Sequence, residues 1–348
     1  MSRLLVVGGY GAVGRPLCEE LVQLDNIDLV VAGRRLDAAE DLTRKIGTVA
    51  RRIELAEPDT WAQACDGVDG AILCMDQQDT RFVSYLFERG IHYIDITASD
   101  ALFRKIESIA APPGASALLS VGLAPGLTNV LAAFLASRME KVLDVQIGLM
   151  GGLGDSHGRA GMNWMADRLF DADCPKDATW IDFGQKWGLR KARRFDFSDQ
   201  HTLKRTLQIN AATTSVCLDS RIVTELLFGA APRVSPGGLL SRGIVWLIEH
   251  VRIGSKVCNV AVRVTGERNG RGITEHAWFF ANSESRTTAR LAALMIRRFL
   301  SDPRPGIWHS HQLFDPAAVL EEVRSHDIGS IVHEHSGRGR QIGPRLSV

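Results

Sequence analysis

Short aliphatic runs alternate with helical patterns through the first third of the chain. Leu4 to Val7 is the first run, and after it Leu17 and Leu21 recur at the spacing of one helix face. Leu29 to Ala32 is the next run. Further strands are predicted at Arg52 to Leu55, Gly70 to Met75, His92 to Ile96 and Ala117 to Val121. The pattern predicts an α/β fold with an N-terminal doubly wound parallel sheet.

The later part of the chain follows a different pattern. Val257 to Thr265 alternates apolar and polar residues, Asn269-Gly270 provides a turn, and Ile273 to Ala281 runs back as an antiparallel partner. Together with Leu143 to Met150, this hairpin predicts a second α/β domain built on a mixed sheet. The aromatic residues Trp180, Phe183 and Trp187 are expected to pack in its interior.

The C-terminal region is predicted to return to the first sheet. Leu291, Met295 and Phe299 share one face of a helix that follows Ser283, and we expect C-terminal helices to pack on the first domain. The tail lacks apolar periodicity, which predicts a flexible end. The expected organisation is a first domain over residues 1–125 completed by 285–330, a second domain over 126–284, and a flexible tail over 336–348.

A glycine-rich turn follows the first predicted strand at once. Its spacing is Gly9-x-Gly11-x-x-Gly14, and the first helix begins immediately after it. Glycines let the backbone approach a pyrophosphate, whose charge is held by the free N–H groups and the dipole of the helix start. The context favours a dinucleotide site over a plain glycine-rich turn. The predicted cofactor contacts in this turn are Gly9, Tyr10, Gly11, Ala12, Val13 and Gly14.

Two arginines stand where the second strand ends. Enzymes that bind NAD carry a carboxylate there for the ribose hydroxyls, whereas this chain reads Gly33-Arg34-Arg35. A guanidinium at this place can pair with a 2′-phosphate or stack on adenine. Arg34 and Arg35 therefore predict NADP(H) in preference to NAD(H), and the alternative is two solvated arginines at a helix start.

Ligands of such a sheet lie beyond the carboxyl ends of its strands. Three segments occupy those positions, and their residues are assigned to the two ligands. On the cofactor side we expect Cys74, Met75, Asp76 and Thr97, with Cys74 acting as a small packed side chain. On the substrate side we expect Gln77, Asn129 and Gly152. Asp76 and Gln77 are equally suited to capping the next helix.

Four segments together resemble the saccharopine dehydrogenase (reductase) family. They are the glycine turn, Ala32-Gly33-Arg34, His92 to Thr97 and Gly122-Leu123-Ala124-Pro125-Gly126-Leu127-Thr128-Asn129. The resemblance covers the first ~155 residues well and the last ~60 loosely. It implies a Rossmann domain followed by a substrate domain, and hydride transfer to a C=N bond as in opine-type amine condensation. The acidic residue of the family's Gly-Leu-Asp-Pro-Gly element is Ala124 here, so saccharopine itself is not the expected substrate.

The loop Gly151 to Gly158 follows a predicted strand and carries an acid and an imidazole. Reduction of a C=N or carbonyl bond needs a proton donor, and histidine titrates near neutral pH while an adjacent carboxylate can orient it. His157 and Asp155 are therefore the predicted catalytic residues. The alternative is a polar surface loop in which Asp155 caps the next helix.

The amino-acid composition limits the kinds of partner that the protein is expected to bind. Lys plus Arg (41) and Asp plus Glu (40) nearly cancel, which argues against nucleic acid or an anionic membrane as a partner. The six cysteines form no Cys-x-x-Cys pair, and the apolar run Leu4 to Val7 is too short to predict a signal peptide. The pairs His309/His311 and His333/His335 lack a third ligand nearby, so no metal is expected. We expect a cytoplasmic protein, a small-molecule substrate and a homodimer.

Two other functions fit the same residues. One is an NADPH-dependent reductase of an activated C=C bond, which would need an apolar tunnel lined by the segment Leu239 to Val251. That segment is equally consistent with a buried core helix. The other is a nucleotide-binding sensor or scaffold without turnover.

Overall fold

The strands of the chain assemble into two sheets in this computed structural model, which describes residues 2–77, 79–154, 177–230 and 255–336. Every pairing in the first sheet is parallel, and the strand order is β13-β6-β5-β4-β1-β2-β3. Its strands are β1 (Ser2–Val7), β2 (Ile27–Gly33), β3 (Val49–Arg52), β4 (Gly70–Leu73), β5 (His92–Asp95), β6 (Ser116–Leu119) and β13 (Gly306–His309). The order reverses between β1 and β4, so a crevice is expected at their carboxyl ends.

Five helices connect the first six strands. They are α1 (Gly14–Leu21), α2 (Leu36–Ile46), α3 (Trp61–Ala64), α4 (Arg81–Phe87) and α5 (Asp100–Glu107). In α1 the predicted face is confirmed, because Leu17, Cys18 and Leu21 are buried together. The position predicted for β3 was wrong: the strand spans Val49–Arg52, whereas the predicted strand was Arg52 to Leu55.

The second sheet is mixed, as the sequence predicts. Its order is β14-β12-β11-β7-β10-β9-β8, with β7 and β10 parallel and the other neighbours antiparallel. Its strands are β7 (Lys141–Gly151), β8 (Ala178–Asp182), β9 (Leu189–Arg194), β10 (Ala211–Leu218), β11 (Val257–Arg268), β12 (Arg271–Asn282) and β14 (Ser330–Ser336). The predicted β11–β12 hairpin is confirmed, and its turn residues Asn269 and Gly270 both have positive φ.

The remaining helices pack between and around the sheets. They are α6 (Thr128–Ala136), α7 (Gly184–Trp187), α8 (Ser198–Thr206), α9 (Arg221–Ala230), α10 (Glu284–Ser301), α11 (Ser310–Leu313) and α12 (Pro316–Ser325). The predicted helix after Ser283 is α10, which buries Leu291, Met295 and Phe299. It lies near α1, where Arg290 Nε is 3.9 Å from Glu20 Oε1.

One hydrophobic core joins the two sheets. It includes Leu118 of β6, Leu131 of α6, Ile147 of β7 and Phe279 of β12, all fully buried. The chain after α10 adds β13 to the first sheet and β14 to the second, so the C-terminal region contributes strands as well as the predicted helices. In the described part of the chain, no helix has the length and apolar character to cross a membrane.

Candidate nucleotide-binding site

The glycine turn after β1 is tightly constrained. Gly8 has φ +79° and its N–H donates to Ala32 O at 2.8 Å, while Gly11 N–H donates to Gly8 O at 2.9 Å. A Cβ at Gly14 would overlap with Gly8 O and lie 2.8 Å from Gly9 Cα. The close approach of the turn to α1 therefore requires glycine at position 14.

The start of α1 suits an anion. Within the described residues, no hydrogen bond is recorded from the backbone N–H groups of Ala12, Val13 and Gly14. The first turn of α1 contains no acidic residue, and it includes Arg15. Unpaired donors and the positive end of the helix dipole favour negative charge at this point. The predicted residues of the turn thus fit the pyrophosphate of a dinucleotide.

The end of β2 is shaped by Tyr10 and the two arginines. The ring of Tyr10 lies against Gly33, where a Cβ would come within 2.5 Å of the ring. Arg35 N–H donates to Tyr10 Oη at 3.2 Å, and its guanidinium lies 5.3 Å from the ring centre. The exposed Arg34 side chain places Nε 3.5 Å from Glu54 Oε2. Arg35 therefore lies beside Tyr10, whereas the exposed Arg34 pairs with Glu54, a residue that was not among the predicted site residues.

Cys74, Met75 and Asp76 follow β4 beside the glycine turn. Cys74 N–H donates to Val7 O at 2.9 Å, and a Cβ at Gly8 would lie 3.4 Å from Met75 Cβ. Burial raises the pKa of the Cys74 thiol well above its usual value, which fits a packing role and not a nucleophile. Asp76 is exposed, yet partial desolvation raises the pKa of its carboxyl.

A buried polar network lies beneath these residues. Tyr93 Oη donates to Asp95 Oδ2, and Gln77 Nε2 donates to Tyr93 Oη at 2.5 Å. Thr97 donates from its N–H at 2.6 Å and from its hydroxyl at 2.5 Å to Asp95 Oδ1. Asp95 thus orders the end of its strand. Burial raises the pKa of Asp95, and the hydrogen bonds from Thr97 and Tyr93 act in the opposite direction.

Thr97 is consequently held by Asp95 directly, and Gln77 is linked to the same carboxylate through Tyr93. Neither Asp76 nor Gln77 caps α4, because that helix begins at Arg81 after Thr80. Gln77 Oε1 is buried and has no hydrogen-bond partner among the described residues. It is a free acceptor at the carboxyl edge of the sheet. Tyr93 was not among the predicted site residues, since tyrosine in a buried strand is usually a packing residue.

The other predicted substrate residues lie in two places. Asn129 is fully buried at the start of α6, where its Oδ1 accepts from Gly126 N–H at 3.0 Å and so holds the turn after β6. Gly152 follows β7, and its N–H donates to Val257 O at 2.9 Å. Asp155 and His157, the predicted catalytic pair, lie outside the described residues. Their roles, like those of Asn129 and Gly152, stay predictions.

The histidine pairs serve other purposes in the described structure. His309 contacts Ser120 Oγ through Nδ1 at 2.8 Å and Glu107 Oε1 through Nε2 at 2.9 Å. His333 Nε2 is 2.7 Å from Glu275 Oε2. Over the described ranges, no group of three or more His, Cys, Asp or Glu side chains is arranged to hold a metal ion.

Comparison with solved structures identifies the architecture. Apo saccharopine dehydrogenase (L-Glu forming) from Saccharomyces cerevisiae matches with a TM-score of 0.65, over 97% of this chain and 100% of that chain, at 12% identity. The fold is that of saccharopine dehydrogenase. The resemblance indicated by the motifs is therefore confirmed as a likeness of fold, and so are the parallel nucleotide-binding type of sheet and the second mixed sheet.

Two other solved structures share the architecture at a TM-score of 0.50. C. glutamicum DAP dehydrogenase in complex with DAP is 17% identical, and an engineered D-amino acid dehydrogenase bound to NADP⁺ is 16% identical. Each match covers 94% of this chain and 99% of the other. No protein-family model matches the sequence. At these identities the likeness concerns the fold, and activity must be argued from this chain's own residues.

Proposed function

We propose that this protein is an NADP(H)-dependent oxidoreductase that reduces a C=N bond in a small substrate derived from an amine and an oxo acid. The observation that carries the proposal is the glycine turn with its unpaired N–H groups, next to a β2 end that has Arg34 and Arg35 in place of a carboxylate. The solved relatives with this fold include dehydrogenases of amino acids, which supports the C–N chemistry.

In this proposal, different residues of the chain bind the cofactor and donate the proton. Gly9, Gly11 and Gly14 would hold the pyrophosphate, and Arg34 and Arg35 would pair with the 2′-phosphate while Tyr10 offers a flat surface beside them. The bound dinucleotide supplies the hydride. The protein then has to orient the acceptor and deliver a proton to the imine nitrogen. We propose that His157 donates this proton and that Asp155 orients the His157 imidazole.

Asp76 and Gln77 complete the proposed substrate side of the site. The raised pKa of Asp76 lets its carboxyl keep a proton to a higher pH than an ordinary aspartate. The free Oε1 of Gln77 is an acceptor that suits the N–H of an iminium or amine. This arrangement favours a nitrogen-containing substrate over an unsaturated thioester.

Calorimetric titration with NADPH, NADP⁺, NADH and NAD⁺ tests the cofactor. We expect NADP(H) to bind more tightly, and the double variant Arg34→Ala/Arg35→Ala to weaken NADPH at least tenfold while sparing NADH. Arg44→Ala is the matched control, because Arg44 lies on α2 and pairs only locally with Asp41. Equal losses for both cofactors would refute the phosphate role of the arginines.

Assays of NADPH oxidation with different acceptors distinguish imine reduction, C=C reduction and a sensor without turnover. NADPH oxidation that requires both an oxo acid and an amine supports imine reduction, and His157→Gln should then lose one limb of a bell-shaped pH profile. Oxidation with an unsaturated thioester and without an amine would favour C=C reduction. Tight cofactor binding without turnover on any acceptor would favour the third function, a nucleotide-binding sensor or scaffold.

A further inference from the structure

On one face of the second sheet the cross-strand neighbours Gln146, Arg263 and His276 are only partly buried. The β8–β9 hairpin folds over this face. Gly148 of β7 permits the close packing, because a Cβ there would overlap with the Ile181 side chain and lie 3.0 Å from Phe183. Trp278 Nε1 fixes the hairpin by donating to Asp182 O at 2.8 Å.

A small cavity of about 60 Å³ opens between the hairpin and the sheet. Its sheet side carries Gln146, Arg263 and His276, which are direct cross-strand partners on β7, β11 and β12. Its hairpin side includes Trp180 and Leu189. Trp180 is 56% exposed, so the expectation that it packs in the interior was wrong, whereas Phe183 is fully buried as predicted. The cavity thus combines an apolar wall with a row of hydrogen-bond donors.

Arg263 forms no hydrogen bond or close ion pair in the described part of the chain, although its charge acts on Asp144 and His276. Its Nε–H group is buried and donates to no acceptor among the described residues. Arg205 and Arg298 also have buried Nε atoms without partners, but their terminal nitrogens are paired with carboxylates. The Arg263 side chain is only partly buried, but its buried Nε–H donor lacks an acceptor, and native proteins rarely leave a buried polar group unsatisfied without a reason. Arg263 lines the cavity, so a ligand bound there would supply the missing acceptor.

We propose that this cavity binds the carboxylate group of a small molecule through Arg263, with Gln146 and His276 beside it. The planar guanidinium matches a carboxylate in a two-point pairing. The volume is far below the ~300 Å³ of a pocket that encloses a whole drug-sized ligand, so it takes the head group while the rest of the molecule lies along Trp180. The site is separate from the glycine turn and does not depend on the proposed enzyme function.

Charged residues near Gln146, Arg263 and His276 affect how strongly the proposed site binds a carboxylate. His276 stacks on Trp278, and burial together with Arg263 lowers the pKa of the His276 imidazole. Three carboxylates act against that effect, those of Asp182 on β8, Glu334 on β14 and Glu275, its chain neighbour on β12. The surroundings of Arg263 also include Asp144 of β7, whose pKa is raised by burial and lowered by Arg263, Gln146 and Arg194. A bound carboxylate stabilises protonated His276, so binding strengthens as the pH falls from 8 to 6.

Acetate is a suitable probe, with the indole N–H signal of Trp180 followed by ¹H–¹⁵N NMR and assigned with Trp180→Phe. We expect a saturable shift that is stronger at pH 6 than at pH 8, and a loss of affinity of about tenfold or more in Arg263→Met. Arg263→Lys should bind with intermediate affinity. Lys191→Met is the control, because it removes a charge from the same hairpin at a residue paired with Glu225 outside the cavity.

Several results would overturn the proposal. These are no saturable shift with acetate, an unchanged affinity in Arg263→Met, an equal loss in Lys191→Met, or tighter binding of inorganic phosphate than of acetate. A Trp180 signal that follows protein concentration and not acetate would assign the face to a second copy of the chain. If Arg263→Met does not fold, His276→Gln provides the test, and loss of the pH dependence in that variant supports the site. Saturating NADPH should leave acetate binding unchanged, which keeps this result distinct from a failure of the proposed enzyme function.

Discussion

Arg205 connects the two halves of the structure, and its removal is expected to have a measurable cost. It lies on α8, and its terminal nitrogens are each 2.7 Å from a carboxylate of α5, Asp100 Oδ1 and Glu107 Oε1. Glu107 also accepts a hydrogen bond from His309 of β13. One guanidinium therefore ties the helix packed on the second sheet to two ends of a helix in the first.

The size of the effect follows from Glu107. Burial alone would raise its pKa, but the hydrogen bonds from His309 and Arg205 outweigh burial and lower the pKa from 4.5 to about 2. At about 1.4 kcal/mol per pKa unit this corresponds to roughly 3 kcal/mol without solvent screening. The Glu107 side chain is 29% exposed and His309 supplies part of the interaction. We therefore expect Arg205→Met to lower the free energy of unfolding by about 2 kcal/mol at pH 7.

Urea unfolding of Arg205→Met and Arg104→Met provides the comparison. Arg104 also pairs with Asp100, but its side chain is 56% exposed and the pair is local to one helix, so its loss should cost under about 1 kcal/mol. Because the folded pKa of Glu107 is depressed, its stabilisation is present above pH 4.5 and is lost as the pH falls toward 2. The deficit of Arg205→Met should accordingly be smaller at pH 4 than at pH 7. Equal deficits in the two variants, or a deficit that grows on acidification, would refute the reasoning.

Two further substitutions test local features by the same unfolding assay. Tyr93→Phe removes the hydroxyl that pairs with Asp95 Oδ2 and Gln77 Nε2, while Thr97 still donates to Asp95 Oδ1, and it should cost about 2–4 kcal/mol; a loss under about 0.5 kcal/mol would mean that the network is not formed. Gly152→Ala places a Cβ on Ser255 O and 2.6 Å from Ser255 C, and should cost about 1–3 kcal/mol, whereas Gly151→Ala has open space and should be near neutral. Similar effects at both glycines would contradict this account of the turn.

Local patterns predicted the elements whose own residues decide them. The glycine turn, α1, the β11–β12 hairpin and α10 all carry their signals within about twenty residues, and each lies where it was expected. Strand β3 was misplaced because it is a short edge strand: Val49 is mostly exposed, and the aliphatic residues that suggested the strand begin at Ile53, beyond its end. An edge strand buries too little to show a clear periodicity.

Contacts between segments that are far apart along the chain could not be predicted from the sequence. β13 is four residues long and follows two prolines, so only its pairing with β6 makes it a strand. The Ser120–His309 and His309–Glu107 contacts span 189 and 202 residues. Such buried polar partners depend on which strands become neighbours, and one sequence does not show that. The same limit explains why Arg263 was not singled out, since its neighbours come from three separate strands.

The shared core has a consequence for how a substrate could be enclosed. Leu118 and Ile147 belong to different sheets but to one continuous hydrophobic cluster, in which α6 and α10 fill the space between. A large hydrophobic interface between domains opposes rigid-body opening, because it would expose apolar surface at about 25 cal/mol per Å². The Arg205 bridge adds an ionic restraint on the same arrangement. Rotation of one sheet against the other is therefore not expected to enclose the substrate.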